Sequence, residues 1–311
     1  MKKLFFLAAA ASVMLAACSS DNEEATVAEK SAIRLSTQSL TGMTRAAKDV
    51  QLTQFAANEN VGIFLAEDNA GSPVTSGTNV TTYAQPLTYV ADGAGNLANP
   101  QYWPQDGNGL HIFGVYPLAA ATAAAAYDAT AVEFSVAADQ TSDANYKASD
   151  LMTGKPTAGN PVTRTTSNVP MTFTHQLTKI DVNLTAGSGF TDAEMDDAVV
   201  SILGTKPTTT FNVQNVTVGA ASGTAASIVA GTGAANSAII VPQTIVAGAS
   251  FIKVTVGGGD YIYKMGADTD FDSKKCYTFN ITVNKTGLVL TVTTITDWVN
   301  GGATAGDATL Q

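Results

Sequence analysis

The feature that most restricts how this chain can fold is a two-residue alternation of apolar and polar side chains. It returns along almost the whole length. In "KIDVNL", Ile180, Val182 and Leu184 point one way, and Asp181 and Asn183 the other. That is the spacing of a half-buried strand, not of a helix. The same habit, rich in Val, Ile, Thr, Phe and Tyr, marks "VGIFLAE", "GLHIFGVYP", "AVEFSVAA", "VVSILGT", "SAIIVPQTI", "FIKVTVGGGDYIYKMG" and "CYTFNITVNKTGLVLTVTTITDWV". Gly257 to Asp260 and Asn284 to Gly287 read as hairpin connections between such runs. Helical signals are few. Thr191 with Glu194 three residues on is a capping box for one short turn. "AAATAAAA" (Ala119 to Ala126) has helix propensity without a polar face and reads as a loop excursion around a short helix. The expected class is all-β.

The N-terminus is of another kind. Lys2 and Lys3 precede the apolar run "LFFLAAAASVMLAA", which ends on Cys18. A positive start, a short apolar core and small residues make a secretory signal over residues 1–17, too short for a membrane span. "LAAC" (Leu15 to Cys18) resembles the bacterial lipobox, which makes Cys18 the expected lipidation site, with a palmitate-type acyl chain as anchor. The polar stretch after Cys18 has too little apolar surface to fold alone and reads as a tether. Cys276 is then left without an intramolecular partner and is expected to be a buried, inert thiol. The prolines and small polar residues of "GKPTAGNPVTRTTSNVP" (Gly154 to Pro170) mark a domain boundary. The expected organisation is a tether and pro-segment over 18–45, one β-sandwich-like domain over 46–168 and a second over 169–311.

The chemistry expected of an enzyme is missing. The chain has two histidines, His111 and His175, and no HExxH, GxSxG, CxxC or phosphate-binding glycine loop. His175 is expected at the edge of a core, hydrogen-bonded to backbone. "DTDFDS" (Asp268 to Ser273) spaces its acids as a calcium loop does. Ser273 stands where that loop needs glycine, however, and Phe279 where it needs a bidentate Glu, so no metal is expected. Trp103 and Trp298 read as core anchors. The net charge of −10 argues against nucleic acid as a partner. No enzymatic activity and no cofactor are expected.

"YWPQDGNGLHIFGVYP" (Tyr102 to Pro117), "SDLMTG" (Ser149 to Gly154), "MTFTHQLTKIDVNL" (Met171 to Leu184) and "CYTFNITVNKTGLVLTVTTITDWVNGG" (Cys276 to Gly302) together resemble the fimbrillin family, the type V pilins. The resemblance implies two transthyretin-like Greek-key sandwiches in tandem, carried to the cell outer membrane as a lipoprotein. It implies a processing protease that cuts an N-terminal loop, and polymerisation with other pilin subunits by donor-strand exchange into a surface fimbrium. Carried onto this sequence, the cut falls between Arg45 and Ala46. The excised strand holds Ile33 and Leu35. The tail after Val299 is weakly apolar, so the candidate donor strand is Leu288, Leu290, Val292 and Ile295. The alternative is an uncleaved surface lipoprotein, either an anchor subunit or a monomeric binder of glycans or host protein.

Overall fold

The computed structural model of the chain describes residues 30–37, 55–74, 83, 85–215 and 217–298. Strands dominate it. In the first half they are β1 (Leu35–Thr37), β2 (Asn60–Asn69), β3 (Ser72–Val74), β4 (Leu87–Ala91), β5 (Asn96–Ala98) and β6 (Leu110–Tyr116). Helix α1 (Leu118–Ala124), β7 (Val132–Ser135), α2 (Asp143–Ala148), β8 (Met152–Pro156) and β9 (Val169–His175) follow. The sheet order β3-β2-β4-β5-β1-β9-β8-β6 is completed by pairing of β6 with β2, so the sheet closes on itself. Alternate side chains of its strands, among them Ile63, Leu65, Tyr89 and Ile112, meet inside that ring with Trp103. Gly114 and Gly154 stand opposite each other on β6 and β8. A Cβ on either would come within 2.6 Å of the Phe173 ring, so the two glycines make room for that ring.

The second half runs β10 (Thr178–Ala186), α3 (Asp192–Met195), β11 (Val199–Thr205), β12 (Thr208–Asn212), β13 (Thr217–Val218), β14 (Ala226–Thr232) and β15 (Ala235–Ile240). It ends with β16 (Gln243–Ile245), β17 (Ser250–Val256), β18 (Gly259–Lys264), β19 (Thr269–Phe271), β20 (Lys275–Asn284) and β21 (Gly287–Asp297). Two four-stranded sheets, β15-β10-β20-β21 and β14-β11-β17-β18, hold a shared core that includes Ile180, Val200, Ile252 and Phe279. Both expected hairpins are present, joining β17 to β18 and β20 to β21.

Each half begins in the same way. β1 lies between an antiparallel neighbour, β5, and a parallel one, β9. β10 lies between antiparallel β15 and parallel β20. The first strand of each half is therefore inserted between strands made later in the chain, and the hydrogen bonds on both of its edges are non-local.

The halves are stitched together. β9, which a boundary at 168/169 assigns to the second domain, pairs with β8 and β1 in the first sheet, and the change of sheet falls between His175 and Thr178. β7, from the first half, pairs with β12 of the second. One continuous apolar cluster joins Phe64, Phe113 and the alanines of α1 to the core of the second half. The alanine run is helical because it is used for close approach: Ala120, Ala121 and Ala124 are buried, and a Cβ on Gly62 of β2 would lie 2.1 Å from that of Ala121. Helix α3 carries the expected capping box, in which the Thr191 backbone N–H and hydroxyl both donate to Glu194.

Candidate functional site at the first-strand seam

Of the residues that the sequence singled out, Ile33 and Leu35 fall together in one structural feature. Residues 31–37 run as an extended seam through the closed ring. On one side Ile33 N–H donates to Gln101 O at 2.8 Å, Trp103 N–H to Ser31 O at 2.9 Å, and Thr37 N–H to Gly95 O at 2.7 Å. On the other, Val169 N–H donates to Arg34 O at 2.8 Å. The pairing places Leu35 opposite both Leu97 and Val169. Ile33 and Leu35 are buried in the ring's core, while Arg34 between them is exposed. Two large aliphatic side chains at alternate positions thus fill the interior, worth about 1.5–3 kcal/mol each on burial. An apolar depression of about 520 Å³, walled by Leu97, Ala98 and Pro100, flanks them.

The turn that sets β5 against the seam is held by one carboxylate. Asp92 accepts from the Ala94 and Asn96 backbone N–H groups at 2.7 and 3.0 Å and from the Asn96 amide at 2.7 Å. These bonds, that of the Asn96 side chain foremost, hold the Asp92 carboxyl below its ordinary value.

The other expected site residues lie elsewhere. Cys18, Arg45 and Ala46 are outside the described residues. Leu288, Leu290, Val292 and Ile295 belong to β21, which pairs with β20 from Gly287 to Asp297 across one bulge. Leu288, Leu290 and Ile295 are partly buried against the core of the second half. β21 is an integral strand of its own sheet, at that sheet's edge.

His175 departs from its expected setting. Its Nδ1 lies 2.7 Å from Asp150 Oδ1, a carboxylate and not a backbone group, and both side chains are fully buried. The Trp298 indole stacks on the imidazole at 4.0 Å and 7°. Asp150 and His175 are twenty-five positions apart, and no local pattern in the sequence joins them. The pair is buried close to the point where the chain changes sheet, between His175 and Thr178. Cys276 matches its expectation: it is buried, its thiol donates to Asp181 Oδ2 at 3.2 Å, and burial and that neighbouring carboxylate push its pKa up to about 12. Trp103 is buried, as an anchor should be. In the acidic loop, Asp268 and Asp270 accept hydrogen bonds from Ala247 N–H and Thr244 Oγ1. No group of three or more metal-ligating side chains occurs among the described residues.

Comparison with known proteins points one way. The sequence profile of a family described as Fimbrillin-like matches residues 44–298. A Bacteroides uniformis protein designated a fimbrium subunit, Fim1C, is 27% identical over 267 residues, covering 81% of this chain and 82% of that one. A crystal structure of a protein from Bacteroides uniformis, described as a cell adhesion protein, superposes with a TM-score of 0.63 at 22% identity, over 87% of this chain and 99% of the other. A second, from Bacteroides ovatus and described in the same words, gives 0.64 at 18% identity over 87% and 98%. At these identities the two structures speak for the fold.

Proposed function

Because the chain belongs to the fimbrillin-like family, we propose that it is a fimbrial subunit that reaches the cell surface as a lipoprotein and is switched from monomer to polymer by losing its first strand. The observation that carries this reading is the seam. β1 is only three residues long, yet it sits in the middle of a closed sheet with hydrogen bonds on both edges, and it and the extended residues just before it put two aliphatic side chains, Leu35 and Ile33, in the core. Cutting after Arg45 would separate it covalently from β2 and all that follows. Its departure would leave two unpaired edges, on β5 and β9, above a groove shaped for Ile33 and Leu35. An open edge with apolar pockets at alternate positions is what an incoming strand can fill. The family profile matches residues 44–298, so β1 lies outside the matched span.

The replacing strand would run parallel to β9 and antiparallel to β5, as β1 does. Supplying it from β21 of another copy would require that strand to leave β20, so the acceptor role is better supported by the geometry than the donor role.

The test is the N-terminal residue of protein sheared from the surface of native cells. A start at Ala46, with a ladder of heat-resistant multimers, is the expected result. A chain that still begins with acylated Cys18 would instead make the protein an uncut anchor subunit or a monomeric surface binder.

A further inference from the structure

Lys30, Arg34 and Arg164 line one open pocket of about 770 Å³ at the entrance of the seam. The hydroxyls of Ser31, Thr165 and Thr166 complete most of its wall, and among the described residues that line it none is acidic. Three cations around one concavity are unusual in a chain of net charge −10. Immediately before Lys30 the sequence reads "DNEEATVAE", with Asp21, Glu23, Glu24 and Glu29 and no basic residue.

We propose that this acidic segment, residues 21–29, seats on the cationic pocket and ties the N-terminal segment to the loop between β8 and β9. The charges are complementary. The two parts belong to one chain, so the local concentration of the acids at the pocket is of order millimolar or more. Arg164 has a particular place here. Lys30 and Arg34 lie on the segment that the proposed cut detaches, and their contacts with the tether would leave with it. Arg164 stays with the body, so only its contact crosses the seam and resists departure of β1. The inference rests on the strand-loss reading for that consequence, though not for the contact itself.

The experiment uses residues 18–311 without acylation, carrying Cys18→Ser and a fluorophore on Ala25→Cys; Cys276 is too buried to label. In the uncut chain, restricted label motion at low salt is expected. It should be freed by R164E combined with K30E and R34E, or by about 1 M salt, where the screening length is about 3 Å. Label motion identical in the parent and the triple variant, at every salt concentration, overturns the proposal. After cutting with a trypsin-like protease, departure of the labelled segment should be about fivefold faster in R164E, the scale of one exposed ion pair. Combining R164E with lysines at 21, 23, 24 and 29 should restore the slow rate. Departure at one rate in all variants overturns the tie alone. A parent segment that never departs, with the label still restricted by charge, overturns the strand-loss reading instead.

Discussion

Leu35 stands directly opposite Leu97 in the antiparallel pair of β1 and β5, with Val169 beside it on the parallel edge, and all three are buried. The contact joins the first strand of the described residues to two strands far away in sequence. Leu35→Ala should destabilise the uncut chain by about 2–5 kcal/mol, since the rigid ring cannot close over the lost methyl groups. Ser36→Ala, one residue on, should stay within about 0.5 kcal/mol. Urea unfolding of the two variants checks this, and equal effects would remove Leu35 from the core of the seam.

The stacking of Trp298 on His175 makes a second prediction. Trp298 follows β21 directly, and its backbone N–H donates to Lys274 O at 2.7 Å. The indole therefore pins the end of the second half over a buried histidine–carboxylate pair. Trp298→Ala should cost about 3–5 kcal/mol, and Trp298→Phe markedly less, because a phenyl ring keeps the stack. Thermal unfolding of both variants measures the difference. Equal losses would mean that the stack itself contributes little.

How much of this was legible beforehand follows from the range of the interactions. The strand character of "KIDVNL" and "CYTFNITVNK", the two glycine-bearing hairpins and the capping box at Thr191 are local, and the sequence displays each of them. Ile33 and Leu35 could be picked out as an apolar pair in a short strand. That the strand lies between β5 and β9 could not, because "NLA" carries no mark of its partner. The closed ring, the crossing of β7 to β12 and the pairing of Asp150 with His175 are all matters of distant contact. The change of sheet at His175 was obscured because the proline-rich stretch before it is a loop within the first sheet. Even "KIDVNL" was only half legible. Asp181 reads as solvent-facing, but Tyr146 and Cys276 come to lie beside it, and it is buried.

Cys276 should be chemically silent in the native state. With its pKa pushed up to about 12, almost no thiolate exists at pH 8. A maleimide should fail to react with folded residues 19–311 at pH 8 and react fully after denaturation. The linkage has a definite sign. The folded pKa lies above the ordinary value of 9.0, so this group's contribution to stability is intact below pH 9 and is lost as pH rises from there towards about 12. Rapid labelling of the native chain would contradict the burial.

Asp92 gives the opposite pH dependence. Its carboxyl is held below the ordinary 3.8, so the turn before β5 is stabilised above that value, and the effect fades as pH falls through the lower folded value. Asp92→Ala should therefore lower the melting temperature at pH 7, and the gap to the parent should narrow as pH falls below 3.8. A constant gap across that range would show that the ionised carboxylate is not what holds the turn.

Gln140 couples the halves and supplies the last prediction. β15 is an edge strand, and its outward backbone groups at Ile239 need partners. The fully buried Gln140 side chain provides both: Nε2 donates to Ile239 O at 2.8 Å, and Oε1 accepts from Ile239 N–H at 2.8 Å. Its backbone N–H meanwhile donates to Val229 O at 2.9 Å, so one residue of the first half closes the edge of one sheet and touches a strand of the other. Gln140→Ala should leave two buried groups unsatisfied, at about 1–3 kcal/mol each. Gln140→Glu is the sharper variant. Ionised, it keeps the acceptor but loses the donor and sets a charge against Ile239 O; protonated, it can donate again. Its deficit should exceed that of Gln140→Ala at pH 7 and shrink on acidification, whereas that of the alanine variant should not. Denaturation curves at two pH values decide it, and parallel behaviour of the two variants would mean that the amide is not closing the strand edge.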